Sequence, residues 1–193
     1  MFGGIRLCVH MCFLFGLFVR YGYLPDLFMQ SVIIPLVKNK SSDLSDINNY
    51  RAIASSSASS KLFESLIAYT LECQSDAEKY QFGFKSGHST GLCTNVLQQT
   101  VEYYRNRVSH VFVCFVDFHK AFDSVNYWKL FQKLLDDRVN CNIIRILSFW
   151  YSNQETFVRW RNAQSAGFHF SNGTKQGGVH TGCAFGNSSF KRE

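Results

Sequence analysis

The eight residues Val111 to Phe118, VFVCFVDF, constrain this chain more than any other stretch. Side chains alternate across a strand, so successive residues serve opposite faces. Apolar residues fill both alternations here, which predicts a strand covered on both sides. Asp117 shares the face of Val111, Val113 and Phe115. A carboxylate at the end of so apolar a strand needs something to offset its charge. A divalent cation would do so, and so would an arginine, a helix N-terminus or exposure at the strand end. The residues alone leave these open.

Helical and extended patterns interleave around this stretch. Ile5 to Val19 is an apolar run between Arg6 and Arg20, shorter than the roughly 20 residues that span a bilayer. No small-residue cleavage site follows it. Leu7, Met11, Leu14, Phe15 and Phe18 share a helical face, which predicts a buried amphipathic helix ended by Gly22 and Pro25. Ser31 to Val37 reads as a strand, with Pro35 suggesting an edge. Lys38 to Asn49 is the polar tip of a long hairpin, and Tyr50 to Ala54 is the strand that returns. Leu62, Phe63, Leu66, Ile67 and Leu71 form a helical stripe. Gln81 to Phe84 reads as a short extended piece. His88, Ser89 and Thr90 cap a further helix, with a predicted buried face of Leu92, Val96, Leu97, Val101 and Tyr104. Helices are predicted over Tyr127 to Val139 and Asn142 to Tyr151. Glu155 to Asn162 and Ser165 to Ser171 follow as a hairpin. This interleaving without a strict strand–helix–strand rhythm predicts an α+β fold.

Composition fits that picture. Of 193 residues, 46% are hydrophobic and 16% aromatic, which supplies a core and excludes a disordered or collagen-like chain. Lys plus Arg exceeds Asp plus Glu by 20 − 14 = 6, a surplus that permits a polyanionic partner. The seven cysteines are odd in number and show no zinc spacing. They read as reduced, mostly buried thiols of an intracellular protein, cytoplasmic or nuclear.

The signature Phe115-Val116-Asp117-Phe118-His119-Lys120-Ala121-Phe122-Asp123-Ser124-Val125 fits F-x-D-x-x-K-A-F-D-x-V. Other runs fall in a matching order: Ile33 to Lys40, Asn48-Asn49-Tyr50-Arg51-Ala52-Ile53, Lys61-Leu62-Phe63-Glu64, Gln81-Phe82-Gly83-Phe84 with Ser89-Thr90, and Asn172-Gly173-Thr174-Lys175-Gln176-Gly177-Gly178-Val179. Together they resemble the reverse transcriptases of non-LTR (LINE-type) retrotransposons.

The resemblance implies a right-hand polymerase fold, with a fingers region over 1–108, part of a palm over 109–193 and no thumb. It implies RNA-directed DNA polymerisation, with an RNA template, a DNA primer, deoxynucleoside triphosphates and Mg2+ as partners, and no membrane. By resemblance Asp117 is the catalytic metal ligand and the Phe118 carbonyl a further one. Phe122 would close the pocket beside the sugar 2′ position, although from the residues alone it is equally a core phenylalanine. Lys38 and Arg51 would face a triphosphate, for which Arg offers a planar fork and Lys a point charge. Gln176 and Gly177 would lie against the incoming nucleotide. Phe157, Arg159 and Arg161 share a strand face, where arginine beside an aromatic ring suits a nucleic-acid backbone and its bases. Solvated surface charge is the other reading of these cations.

The pattern also departs from that family. The aromatic-x-Asp-Asp element expected after Gln176-Gly177 is absent, and the only carboxylates after Asp137 are Glu155 and Glu193. Two metal ions need several anionic oxygens. The expectation is therefore a fragment truncated before that element and inactive by itself, with a non-catalytic nucleic-acid-binding remnant as the alternative. Asp123 is expected to cap the helix near Asn126. Ala52 and His180-Thr181-Gly182 replace family prolines. The strand carrying Asp117 would lack a neighbour, an aggregation liability.

Overall fold

The computed structural model describes residues 4–74, 82–83, 87–117, 123 and 125–175. Among these, six α-helices and five short strands alternate in an α+β arrangement around one mixed sheet. Helix α1 (Gly4–Tyr21) ends where Gly22 adopts φ +66°, and Gly22 N–H donates to the Phe18 carbonyl at 2.8 Å. Such a left-handed C-terminal stop is open to glycine at little cost. Arg145 closes the same helix end by donating from Nη2 to the Arg20 carbonyl at 2.6 Å.

Phe15 and Phe18 of α1 enter the core, and Met11 packs beside them. Leu7 and Leu14, expected on the same buried face, are exposed. The helix runs eighteen residues. It is long and apolar enough to cross a membrane by length and composition, the one such helix among the described residues.

Helix α2 (Asp26–Met29) leads into β1 (Ser31–Val37), which pairs antiparallel with β2 (Tyr50–Ser56) along its whole length. The tip between them holds a 3-10 turn, Ile47–Asn49, capped by Asp46. β1 also pairs in parallel with β3 (Glu155–Trp160), but only from Ser31 to Ile33. β1 is thus central at its start and an edge at Pro35, which has no N–H to offer a third strand. Two-residue strands β4 (Ala163–Gln164) and β5 (Phe168–His169) pair with β3, so the predicted hairpin is present in shortened form. A buried Ser31 Oγ to Thr156 Oγ1 hydrogen bond of 3.1 Å stitches β1 to β3.

Helix α3 (Ala58–Gln74) buries Phe63, Ile67 and Leu71 and leaves Leu62 and Leu66 outside. Two of the five predicted residues are therefore exposed, and the buried face turns towards Ser60, Glu64 and Ala68 instead. Helix α6 (Cys141–Asn153) packs on α1 and α2, and α5 (Tyr127–Asp136) packs on α6, with Leu130, Leu134, Ile146, Leu147 and Trp150 in the shared core. Phe63 is the hub, with ring centroids 5.0 Å from Phe15, 5.8 Å from Phe18, 5.9 Å from Phe28 and 5.8 Å from Trp150. Sheet and core draw on residues from both sides of position 108.

Three expectations fail here. Val111 to Asp117 forms no strand: the segment is irregular and exposed throughout, with Phe112 95% and Phe115 81% accessible. A strand exists only with a neighbour, and the described residues supply none. Helix α4 (Thr90–Arg105) has the predicted cap, with Leu92 N–H donating to Ser89 Oγ at 3.2 Å, yet buries none of its residues. The described cysteines 8, 12, 93, 114 and 141 are free, as expected, but all exposed rather than buried. The extended piece at Gln81 to Phe84 lies outside the described residues except for Phe82 and Gly83.

Candidate functional site

The β1–β2 hairpin sorts its residues onto two faces. Ile33 and Pro35 stand opposite Ala54 and Ala52, so these four share one face. Ile34 and Leu36 stand opposite Ile53 and Arg51 on the other. β3 continues the second face with Phe157 and Arg159, because Phe157 registers with Val32.

On the first face, a cavity of about 290 Å³ lies between the hairpin and the segment Phe170 to Lys175. The short side chains of Ala52 and Ala54 leave the room, and Ile33, Phe170 and Gly173 give apolar walls. Asn172, Thr174, Lys175 and Asp123 bring polar groups to it. Gly173 N–H donates to the Val125 carbonyl at 2.8 Å, which ties this segment to the end of the Asp117 signature. Three sequence-distant runs therefore meet at one cavity. Asp123 does not cap α5 as expected. Asn126 does, its Oδ1 accepting from Lys129 N–H at 3.1 Å.

Lys175 is the perturbed group of this cavity. Burial pushes its ammonium down to about 8, and the Glu64 carboxylate of α3 opposes that shift. Thr174 Oγ1 is buried without a hydrogen-bond partner among the described residues. At the start of α5, Tyr127 is pushed up to about 12 by burial, against the pull of a 3.0 Å hydrogen bond from Gln154 Nε2.

The residues singled out in the sequence fall elsewhere. Arg51 is exposed on the opposite face of β2 from the cavity and shares that face with Phe157 and Arg159. Neither arginine meets a carboxylate among the described residues. Arg161 leaves the strand and occupies a left-handed turn position at φ +53°. Lys38 donates from Nζ to the Asn48 carbonyl at 2.7 Å, which closes its own hairpin. Asp117 is exposed at the end of its irregular segment. Phe118, Phe122, Gln176 and Gly177 lie outside the described residues.

No group of three or more His, Cys, Asp or Glu side chains converges among the described residues. These residues therefore do not fit a two-metal centre, which needs several anionic oxygens around its ions. Glu64 and Lys175 are what the sequence reading missed. A lone Glu inside the apolar stripe of α3 was the available signal.

Comparison with known proteins agrees with the motif order. The family profile described as "Reverse transcriptase (RNA-dependent DNA polymerase)" matches residues 37–187. The chain is 24% identical over 181 residues to a 115 kDa protein in type-1 retrotransposable element R1DM of Drosophila melanogaster, covering 93% of this chain and 16% of that protein. It is 26% identical over 177 residues to the "Probable RNA-directed DNA polymerase from transposon X-element" of the same organism, covering 89% and 19%. For the corresponding protein from transposon BS the figures are 25% over 179 residues, 91% and 20%. The chain thus spans no more than a fifth of the length of these relatives. With the profile covering most of the chain and the relatives all coming from non-LTR elements, the chain belongs to the reverse transcriptase (RNA-dependent DNA polymerase) family of non-LTR retrotransposons.

Proposed function

We propose that the sheet face carrying Arg51, Phe157 and Arg159 is the surface on which this reverse transcriptase fragment holds its nucleotide and template–primer. The carrying observation is that a register across β1 brings residues more than a hundred positions apart onto one face. An arginine fork suits phosphate oxygens, and a half-buried ring beside such forks suits a base. Residues 1–108 are the fingers region in this reading, and 109–193 the start of a palm. Lys38 and Arg51 meet the triphosphate, Phe122 excludes the 2′-hydroxyl, and Gln176 and Gly177 lie against the incoming deoxynucleotide.

Divalent metal ions serve this family generally, and Mg2+ is the ion proposed here. When bound, such ions activate the primer 3′-hydroxyl and stabilise the departing pyrophosphate. Asp117 and the Phe118 carbonyl are the ligands this chain offers. One carboxylate is too few, so the 193 residues bind template and nucleotide without joining them. A primer-extension assay on an RNA template with deoxynucleotides and Mg2+ tests this. No extension is expected. Extension that disappears in Asp117→Ala overturns it.

The absence of a converging metal cluster among the described residues favours a second reading, a non-catalytic RNA-binding remnant. Binding to single-stranded RNA weakens with salt by about 0.7 logarithmic units per neutralised phosphate. Arg159→Ala/Arg161→Ala is expected to reduce the slope of log affinity against log salt by about 1.4, as two lost contacts require. Asp117→Ala is expected to leave that slope unchanged. Fluorescence anisotropy with a labelled RNA across a salt series measures both.

A further inference from the structure

Helix α1 is apolar on every side, and only one side of it is covered. It has no acidic residue, and its charged residues are Arg6 and Arg20. A helix turns about 100° per residue, so Ile5, Val9, Phe13 and Leu17, each four positions on, run along one side. Phe15 and Phe18 point the other way, into the rings of Phe28 and Phe63. The outer line is exposed along its length, with Ile5 81% and Phe13 71% accessible. An apolar helix face left open to water is a binding surface for whatever covers it.

Charge decides what fits. Arg6 and Arg20 lie on the same outer side at opposite ends of the line, 20 − 6 = 14 residues and about 21 Å apart along the axis. Both are exposed and form no ion pair among the described residues. Arg145 of α6 adds a third guanidinium at the C-terminal end, donating to the Arg20 carbonyl at 2.6 Å. His10, between the arginines, donates from Nδ1 to the Arg6 carbonyl at 2.6 Å. A second copy of α1 does not fit. Packed parallel or antiparallel, it sets guanidinium against guanidinium, with no carboxylate on either helix to answer. The surface that fits is apolar along the line and negative at both ends. A bilayer with anionic headgroups is both, because arginine side chains reach the headgroup level while the helix sits at the acyl boundary. The helix cannot span that bilayer while Phe15 and Phe18 are held in the core that α1 shares with α2, α3 and α6.

We propose that α1 is an in-plane membrane-surface helix, with Ile5, Val9, Phe13 and Leu17 entering the headgroup–acyl boundary and Arg6 and Arg20 holding anionic headgroups. This departs from the expectation of no membrane partner. It uses neither the cavity nor the arginine face of the sheet.

Vesicle flotation of the full chain tests it, because aggregates stay at the bottom of the gradient. The chain is expected to float with phosphatidylcholine vesicles containing about 30% phosphatidylserine and far less with phosphatidylcholine alone. Salt at about 1 M is expected to release it. Arg6→Gln/Arg20→Gln is expected to weaken binding about thirtyfold, at about fivefold for each cation near the surface. Phe13→Gln is expected to weaken it about tenfold or more, by removing an inserted ring. All three positions face solvent, so circular dichroism of both variants is expected to match the unaltered chain. A chain that does not float overturns the proposal and leaves the outer face to a protein partner. Flotation untouched by either variant overturns it too, since another basic surface then holds the lipid. Flotation that survives high salt overturns the in-plane reading, because screening does not release an inserted span. Sedimentation velocity checks the remaining occupant. Self-association that Phe13→Gln abolishes overturns the lipid in favour of a second copy.

Discussion

Phe63→Ala is expected to cost about 3–5 kcal/mol of folding stability, the range for truncating a large aromatic ring in a packed core. Total stability of a domain this size is about 5–15 kcal/mol, so the change takes a large share of it. Phe63 is 2% exposed and touches rings from three other helices: Phe15 and Phe18 of α1, Phe28 of α2 and Trp150 of α6. Its contact with Trp150 is stacked, at 16° between planes. The lost ring leaves a void that four elements, each held by other contacts, cannot close together. Urea unfolding followed by tryptophan fluorescence measures the effect, because Trp150 is the buried tryptophan while Trp128 and Trp160 are exposed. A midpoint that moves little would show that α1 and α2 are dispensable to the core. Leu66→Ala, one turn away on the solvent side of α3, is the control and is expected to stay within about 0.5 kcal/mol.

The elements most legible in the sequence are those whose signals are local. The Ser31–Val37 and Tyr50–Ala54 strands, the stop at Gly22, the Ser89 cap and the two helices after Tyr127 all follow from spacing and capping within one element. The parallel pairing of β1 with β3 is not local: Ser31 and Thr156 stand 125 residues apart, and no turn chemistry announces their meeting. Val111 to Asp117 shows the limit from the other side. Apolar residues on both alternations say what a segment would gain from cover, and they do not supply the cover. The apolar positions of α4 carry the same lesson.

The site divides in the same way. Arg51, Arg159 and Phe157 are legible as candidates because arginine beside an aromatic ring has a chemistry of its own. That they share a sheet face needed the register. Lys175 carried no signal, because a lysine in a glycine-rich run looks like any solvated loop charge. Its meaning depends on Glu64, and Glu64 looks like the polar edge of an apolar stripe until the helix is packed.

The half-buried Lys175 makes a further expectation about pH. A lysine whose folded-state pKa lies near 8, below its usual 10.5, binds its proton less tightly in the folded chain than in the unfolded one. Between those values the unfolded chain carries the extra proton, so folding stability rises with pH. The full difference is about 3 kcal/mol, of which about 2 kcal/mol falls between pH 7.5 and 9.5. Tyr127 acts in the opposite sense and later. Its phenol is pushed up to about 12 from 10, so it contributes stability that is complete below pH 10 and is lost as pH rises towards 12. The two together predict a stability maximum near pH 10. Urea unfolding at pH 7.5, 8.5 and 9.5 is expected to show the rise, and Lys175→Met, which keeps the apolar stem and removes the titrating group, is expected to flatten it. Tyr127→Phe is expected to leave the rise intact and remove the fall above pH 10. A wild-type chain whose stability is level from pH 7.5 to 9.5 would mean that the ammonium of Lys175 reaches solvent.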